Sequence, residues 1–222
     1  MEPSNYGTYL VTQASLSEGR STTHVVEAAI EGGVDVVQLR EKDTDARHRY
    51  ELGRELRELT AEAGVDLIVN DRVDIAEAID ADGVHLGQSD LPVAVARDLL
   101  GPEAVVGCSA STVEEAVAAE SAGADYLGVG AVYGTTSKDV EADKNGLGTD
   151  RFAEIADAVS IPVVGIGGIT ADNAGPVVEA GAAGVAVISA ITAAEDPRAA
   201  TEALATAVET AKGDGAEGES HD

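Results

Sequence analysis

Ala104-Val105-Val106-Gly107, Ser111-Thr112-Val113-Glu114-Glu115 and Ser121-Ala122-Gly123-Ala124-Asp125-Tyr126-Leu127-Gly128-Val129 follow one another along the chain and together spell one strand–helix–strand unit. The first run is short, apolar and β-branched, as a buried strand requires. Thr112 with Glu115 three residues on is a capping-box pattern that starts a helix. Gly123 is placed to end that helix in the left-handed conformation, and Tyr126–Val129 reads as the next strand.

The same unit recurs in both directions. Runs at Tyr9–Thr12, Val34–Leu39, Asp66–Val69, Gly83–Leu86, Pro162–Ile166 and Gly184–Ile188 join Ala104–Gly107 and Tyr126–Val129 to make eight strands, each followed by an Ala- and Glu-rich segment of helical period. Turns like that at Gly123 stand at Glu31–Asp35 and Glu179–Ala183, on the face opposite the expected site, and Asp196-Pro197 sets a capping residue before a first-turn proline. Strands alternating with helices predict a parallel sheet, and eight in this length predict closure into one (β/α)₈ TIM barrel. The reading places the catalytic barrel over residues 1–212 and a disordered, Gly- and acid-rich tail over 213–222, where nothing is available to bury.

The chain has 222 residues, enough for one large core, built mainly from Ala, Val, Ile and Leu with one Phe and no Trp. Its 41 acidic residues against 14 Lys and Arg give a formal charge of −27, which repels nucleic acid and anionic membrane surfaces. Such a charge destabilises a compact state at ordinary ionic strength, whereas at molar salt the Debye length falls to about 3 Å. The expectation is therefore a halophilic protein. A single cysteine, Cys108, excludes an intramolecular disulfide, and the N-terminal residues lack the basic and apolar regions of a signal peptide. With no apolar run of the roughly 18 residues a membrane span needs, a cytoplasmic protein is expected. Oligomeric state stays open, a homo-oligomer included.

In such a barrel the C-terminal strand ends build the site. Those ends carry Gln38-Leu39-Arg40-Glu41-Lys42, Asn70-Asp71, His85 through Asp90, Ser109, Thr135-Thr136-Ser137-Lys138, Gly165 through Ile169, and Ile188-Ser189. Basic residues are scarce, yet Arg40, Lys42 and Lys138 share this rim, where an anionic ligand would need them. The alternative is that Arg40 and Lys42 pair with Glu41, Asp43 or Asp45 on a solvated loop. Asp71 and Asp90, on neighbouring strands, suit one Mg²⁺ held by two carboxylates and substrate phosphate; each could instead cap the helix that follows. The Gly-rich turn at Gly165–Ile169 suits phosphate approach by backbone N–H groups, with a helix starting at Thr170–Asn173. His85, without a second His or Cys at ligand spacing, reads as a packing residue, and Cys108 as a small core residue. Arg47, Arg49, Arg54 and Arg57, interleaved with Glu51, Glu55 and Glu58, read as a solvated helix face. Ser109 has no His at triad-like positions, which argues against a nucleophilic hydrolase.

From Tyr9 to about Lys212 the chain resembles the thiamine-phosphate synthase family. The resemblance rests on Gln38-Leu39-Arg40-Glu41-Lys42, Asn70-Asp71-Arg72, Ala81 through Asp90 and Val164 through Thr170, in the family's order. It implies a transferase that joins hydroxymethylpyrimidine diphosphate to a thiazole phosphate, giving thiamine phosphate and pyrophosphate. It further implies that Lys138, Ser109 and Arg40 are catalytic, that Gln38, Arg40, Lys42 and Asn70 hold the pyrimidine diphosphate with Ser109 and Lys138 on its pyrophosphate, and that Leu39 and Glu41 are among the substrate-binding residues. Asp71 and Asp90 would ligate Mg²⁺, while Thr135, Thr136, Ser137, Gly168, Ile188 and Ser189 would bind the thiazole phosphate. The loop after strand six departs from the family's Pro-Thr-x-Thr-Lys: Gly134-Thr135-Thr136-Ser137-Lys138 lacks the Pro and has Ser137 for a Thr. The acidic stretch that follows, Asp139–Asp143, is expected to act as a mobile lid. Two other readings are an isomerase like the thiazole tautomerase, which uses a His where Ser109 stands, and a non-catalytic phosphate-ligand sensor.

Overall fold

The computed structural model describes residues 6–42, 44–134 and 146–218. Eight parallel strands close in sequence order into a barrel. They are β1 (Thr8–Val11), β2 (Val36–Leu39), β3 (Asp66–Asn70), β4 (Gly83–Leu86), β5 (Val105–Ala110), β6 (Tyr126–Gly130), β7 (Val163–Ile166) and β8 (Gly184–Val187). Around them lie α1 (Thr22–Glu31), α2 (Ala46–Ala63), α3 (Val73–Ala78), α4 (Val93–Leu100), α5 (Val113–Ser121), α6 (Gly148–Ala156), α7 (Gly175–Glu179), α8 (Ser189–Thr192) and α9 (Pro197–Gly218). Among the described residues no helix is long and apolar enough to cross a membrane.

Alternation along each strand divides the core into two clusters, because successive side chains of a strand point to opposite faces. Leu10, Val37, Leu67, Val84, Leu127 and Val185 face outward and pack under the helices with Leu56, Phe152, Ile155 and Leu204. Tyr9, Val36, Ile68, Val105, Tyr126, Val164 and Ala186 fill the barrel interior. The interior is crowded enough that Gly107 and Gly128 are needed as glycines. A Cβ on Gly107 would stand 2.2 Å from Cζ of Tyr126, and one on Gly128 would stand 2.9 Å from Cε1 of His85.

Three aspartates at strand entries set the register at the N-terminal face. Asp35, Asp82 and Asp125 accept hydrogen bonds from the backbone N–H groups of Thr8, Leu67 and Val106, the first or second residues of the neighbouring strands, at 2.7, 2.8 and 2.7 Å. Arg57 and Arg97 close the second and third of these clamps by pairing with Asp82 and Asp125. Gly33, Gly123 and Gly181 have positive φ, as their helix-ending turns require.

One cap bond and two helix boundaries depart from the sequence reading. Thr112 caps α5 as expected, but Glu115 reaches back to the N–H of Ser111 (2.7 Å), one residue before the cap. Thr170–Asn173 does not begin a helix: Asn173 Oδ1 accepts from Thr170 N–H at 2.8 Å, which closes a turn, and α7 starts at Gly175. The last helix, capped by Asp196, continues to Gly218 rather than ending near Lys212. Each residue added at its end still gains a backbone hydrogen bond.

Candidate active site

The C-terminal ends of β2, β3 and β4 bring the predicted anion and metal residues together. A hollow of about 240 Å³ opens there, lined in part by Arg40, Lys42, Asn70 and Asp71. Arg40 is buried, its N–H donating to Thr12 Oγ1 at 3.0 Å and its guanidinium to Gln13 Oε1. It is therefore part of the barrel mouth and not of a solvated loop. Lys42 is exposed at the rim.

Leu39 and Glu41 line the same hollow with side chains engaged elsewhere. Leu39 belongs to the outer core beneath α2. The Glu41 carboxylate accepts from Ala14 N–H and Thr22 hydroxyl, both at 2.9 Å, and so ties the β2 loop to the start of α1. Arg49 of α2 donates to the carbonyls of Glu41 and Lys42 at 2.8 and 2.7 Å, and Arg57 pairs with Asp82. These two arginines are thus structural ties, a correction to the reading of all four as one solvated face; strand pairing brought their partners within reach.

Asp71 and Asp90 sit within hydrogen-bonding reach of each other. Burial, first, and then the neighbouring Asp90 carboxylate push the Asp71 carboxyl above the usual range, while Lys42 and Arg40 pull it down. Neither aspartate caps a helix. Arg72 and Pro92 occupy the cap positions of α3 and α4 without side-chain bonds. Asp71 adopts a left-handed backbone (φ 64°), held by its N–H donating to His85 carbonyl at 2.8 Å. The Asp90 carboxylate accepts from Gly87 N–H at 2.7 Å. Two half-buried carboxylates of one sign, placed together, favour a divalent cation between them. Among the described residues no group of three or more His, Cys, Asp or Glu is positioned to hold a metal. A pair of carboxylates is a donor set of the kind magnesium commonly takes, with phosphate oxygens and water completing its shell.

Ser109 lies on the inner face of β5 and is joined to a buried hydrogen-bonded chain. Gln38 Nε2 donates to Tyr9 hydroxyl at 2.8 Å, and Tyr9 and Tyr126 hydroxyls are 2.8 Å apart. Tyr126 hydroxyl lies 2.9 Å from His85 Nδ1, and His85 Nε2 lies 2.9 Å from Ser109 Oγ. His85 is buried, as the packing reading required, but both ring nitrogens are engaged, so packing is not its whole role. The sequence signal for this chain was the occurrence of Tyr9, Gln38, His85, Ser109 and Tyr126 at inward positions of otherwise apolar strands. Burial pushes the Tyr9 and Tyr126 phenols well above their ordinary value, so both keep their protons. Cys108 points outward into the core as expected, and burial raises its thiol.

Across the mouth, Gly168 (φ 68°) follows β7, while Ile188 and Ser189 lie where β8 enters the short helix α8. This is the phosphate station of many such barrels. Tyr133 hydroxyl donates to Asn173 carbonyl at 3.0 Å and ties the loop after β6 to this side. Thr135, Thr136, Ser137, Lys138 and the acidic stretch Asp139–Asp143 lie outside the described residues.

Residues 8–191 match the family model described as thiamine monophosphate synthase. The thiamine-phosphate synthase of Natronomonas pharaonis is 65% identical over 205 residues, covering 92% of this chain and 96% of that protein. That of Haloarcula marismortui is 66% identical over 206 residues, covering 92% and 98%. Thiamine phosphate pyrophosphorylase from Pyrococcus furiosus superposes with a TM-score of 0.86 at 42% identity, covering 94% of this chain and 98% of that one. The isomerase and sensor readings receive no support from these relatives. With its closed eight-stranded barrel and that breadth of similarity, the chain belongs to the thiamine-phosphate synthase family, transferases that build thiamine phosphate.

Proposed function

We propose that the synthase reaction runs at the mouth of β2–β5, with Arg40, Lys42, Asn70 and Ser109 around the diphosphate and with Asp71 and Asp90 as the ligands of a magnesium ion. The observation that carries this reading is the hollow lined by Arg40, Lys42, Asn70 and Asp71, with Asp90 beside Asp71. Gln38 Oε1 is buried without a hydrogen-bond partner among the described residues, which costs free energy until a donor arrives. An amino group on the pyrimidine is such a donor. Arg40 presents a planar fork to phosphate oxygens and Lys42 a point charge, so both stabilise negative charge as it gathers on departing pyrophosphate. Magnesium, when bound, neutralises part of that charge. The pyrimidine methylene cation left behind is captured by the thiazole nitrogen, which carries no proton, so no general base is required. Gly168, Ile188 and Ser189, with Thr135, Thr136 and Ser137, are assigned to the thiazole phosphate, and Lys138 to the pyrophosphate.

Incubation of the protein with both substrates and Mg²⁺ should yield thiamine phosphate and pyrophosphate in equal amounts. Chelation of the metal should abolish product, and re-addition of Mg²⁺ should restore it; undiminished turnover in excess chelator would remove the metal from the scheme.

We further infer a halophilic, cytoplasmic enzyme. A charge of −27 on 222 residues is self-repelling, and salt screens it. The melting temperature should rise steadily between dilute buffer and molar KCl. A protein most stable in dilute buffer would contradict the halophilic reading.

A further inference from the structure

The chain from Gln38 to Ser109 joins two residues assigned to the substrate, and its direction can be worked out donor by donor. The Gln38 Nε2 group can only donate, so Tyr9 oxygen accepts from it. Tyr9 is 1% exposed, and its one proton has Tyr126 oxygen as its acceptor at 2.8 Å. Tyr126, also 1% exposed, has then accepted, and its own proton goes to His85 Nδ1. A neutral imidazole whose Nδ1 accepts carries its proton on Nε2, and that proton is donated to Ser109 Oγ. Ser109 is thereby an acceptor toward the protein, and its own hydroxyl proton is left to point into the barrel mouth. Had the Gln38 amide been turned the other way, each bond would reverse and Ser109 would spend its proton on His85.

We propose that Tyr9, Tyr126 and His85 are positioning residues: a one-way hydrogen-bond chain from Gln38 locks His85 as the Nε2–H tautomer and so commits the Ser109 hydroxyl to donate to an anionic oxygen of the diphosphate. The functional half of this inference rests on the assignment of Ser109 to the diphosphate; the chain itself does not. Space for the chain is provided by Gly107 and Gly128, whose missing side chains admit the Tyr126 and His85 rings. Tyr6 provides an internal control. Its ring packs at a tilt against Tyr126 with centroids 4.7 Å apart, but its buried hydroxyl has no hydrogen-bond partner among the described residues.

The test is nitrogen-15 NMR on the full chain labelled at histidine, with the His85 signals assigned by their loss in His85→Asn. The wild type should show a protonated Nε2 and an unprotonated Nδ1. Tyr126→Phe keeps the ring but removes the link, and should give a mixture of tautomers together with about fivefold weaker inhibition by inorganic pyrophosphate. The KM for the thiazole phosphate should be unchanged in that variant. Tyr6→Phe should alter neither the tautomer nor the inhibition. A protonated Nδ1 in the wild type, or a tautomer indifferent to Tyr126→Phe, would overturn the chain. A shifted tautomer with unaltered pyrophosphate inhibition would overturn only the assignment of Ser109 to the diphosphate.

Discussion

Asp90→Ala should lower turnover by about a hundredfold or more while leaving the fold intact, because it removes charge stabilisation where pyrophosphate leaves. The Asp90 carboxylate also accepts from Gly87 N–H at the edge of the site, a bond that water can replace once the side chain is gone. Asp71→Asn should lose activity comparably, but should also change stability. A carboxyl whose folded pKa is raised binds its proton more tightly folded than unfolded, so its contribution is greatest at low pH. That contribution falls as pH rises from the usual carboxylate range through the raised folded value. Above that raised value and without metal, Asp71 is ionised at a cost that asparagine avoids, and there the variant should melt higher than wild type. Addition of Mg²⁺ with pyrophosphate should raise the melting temperature of the wild type alone. Thermal melts and steady-state kinetics on the same preparations decide the matter: an Asp90→Ala enzyme within a few-fold of wild type would refute the metal assignment.

Gly107→Ala should be among the most damaging single-methyl additions in this barrel. The new Cβ would stand 2.2 Å from Cζ and 2.3 Å from Cε1 of Tyr126. That ring cannot swing aside, since it is fully packed, touches the Tyr6 and His85 rings and bonds to Tyr9 and His85. Overpacking of this kind costs about 3 kcal/mol, which for a chain of this length is a fall in melting temperature of about 6–12 °C. Tyr126→Leu alone should destabilise by leaving a cavity, yet in combination with Gly107→Ala it should recover part of the loss, because the two changes share one volume. Strictly additive losses in a denaturant titration of the four proteins would show that the ring is not the obstacle.

Both predictions depend on different degrees of legibility. The eight strands could be read from residue order because β-branched runs, capping residues and helix-ending glycines are local signals; Gly83–Leu86 was read to the residue, and the others within a few residues at each end. The rim residues Arg40, Lys42, Asn70, Asp71, Asp90 and Ser109 were legible because a parallel barrel puts every strand's C-terminal end on one face. The resemblance then supplied their roles. What was missed lies at positions whose partners are distant in the chain. His85 read as packing because Tyr126, 41 residues away, supplies its hydrogen bond. Arg57 read as a surface residue because Asp82 lies 25 residues away.

The chain order alone determined that this protein alternates strands and helices, carries Arg40 and Lys42 at a strand end beside two aspartates, and bears a strongly acidic coat, since propensity, period and charge are properties of neighbouring residues. Closure of the sheet decided the rest. Only when β1 pairs with β8 do five strands aim their side chains at one axis. That convergence sets Asp71 against Asp90, turns the Glu41 carboxylate away from the mouth, and strings Gln38, Tyr9, Tyr126, His85 and Ser109 into a single hydrogen-bonded line.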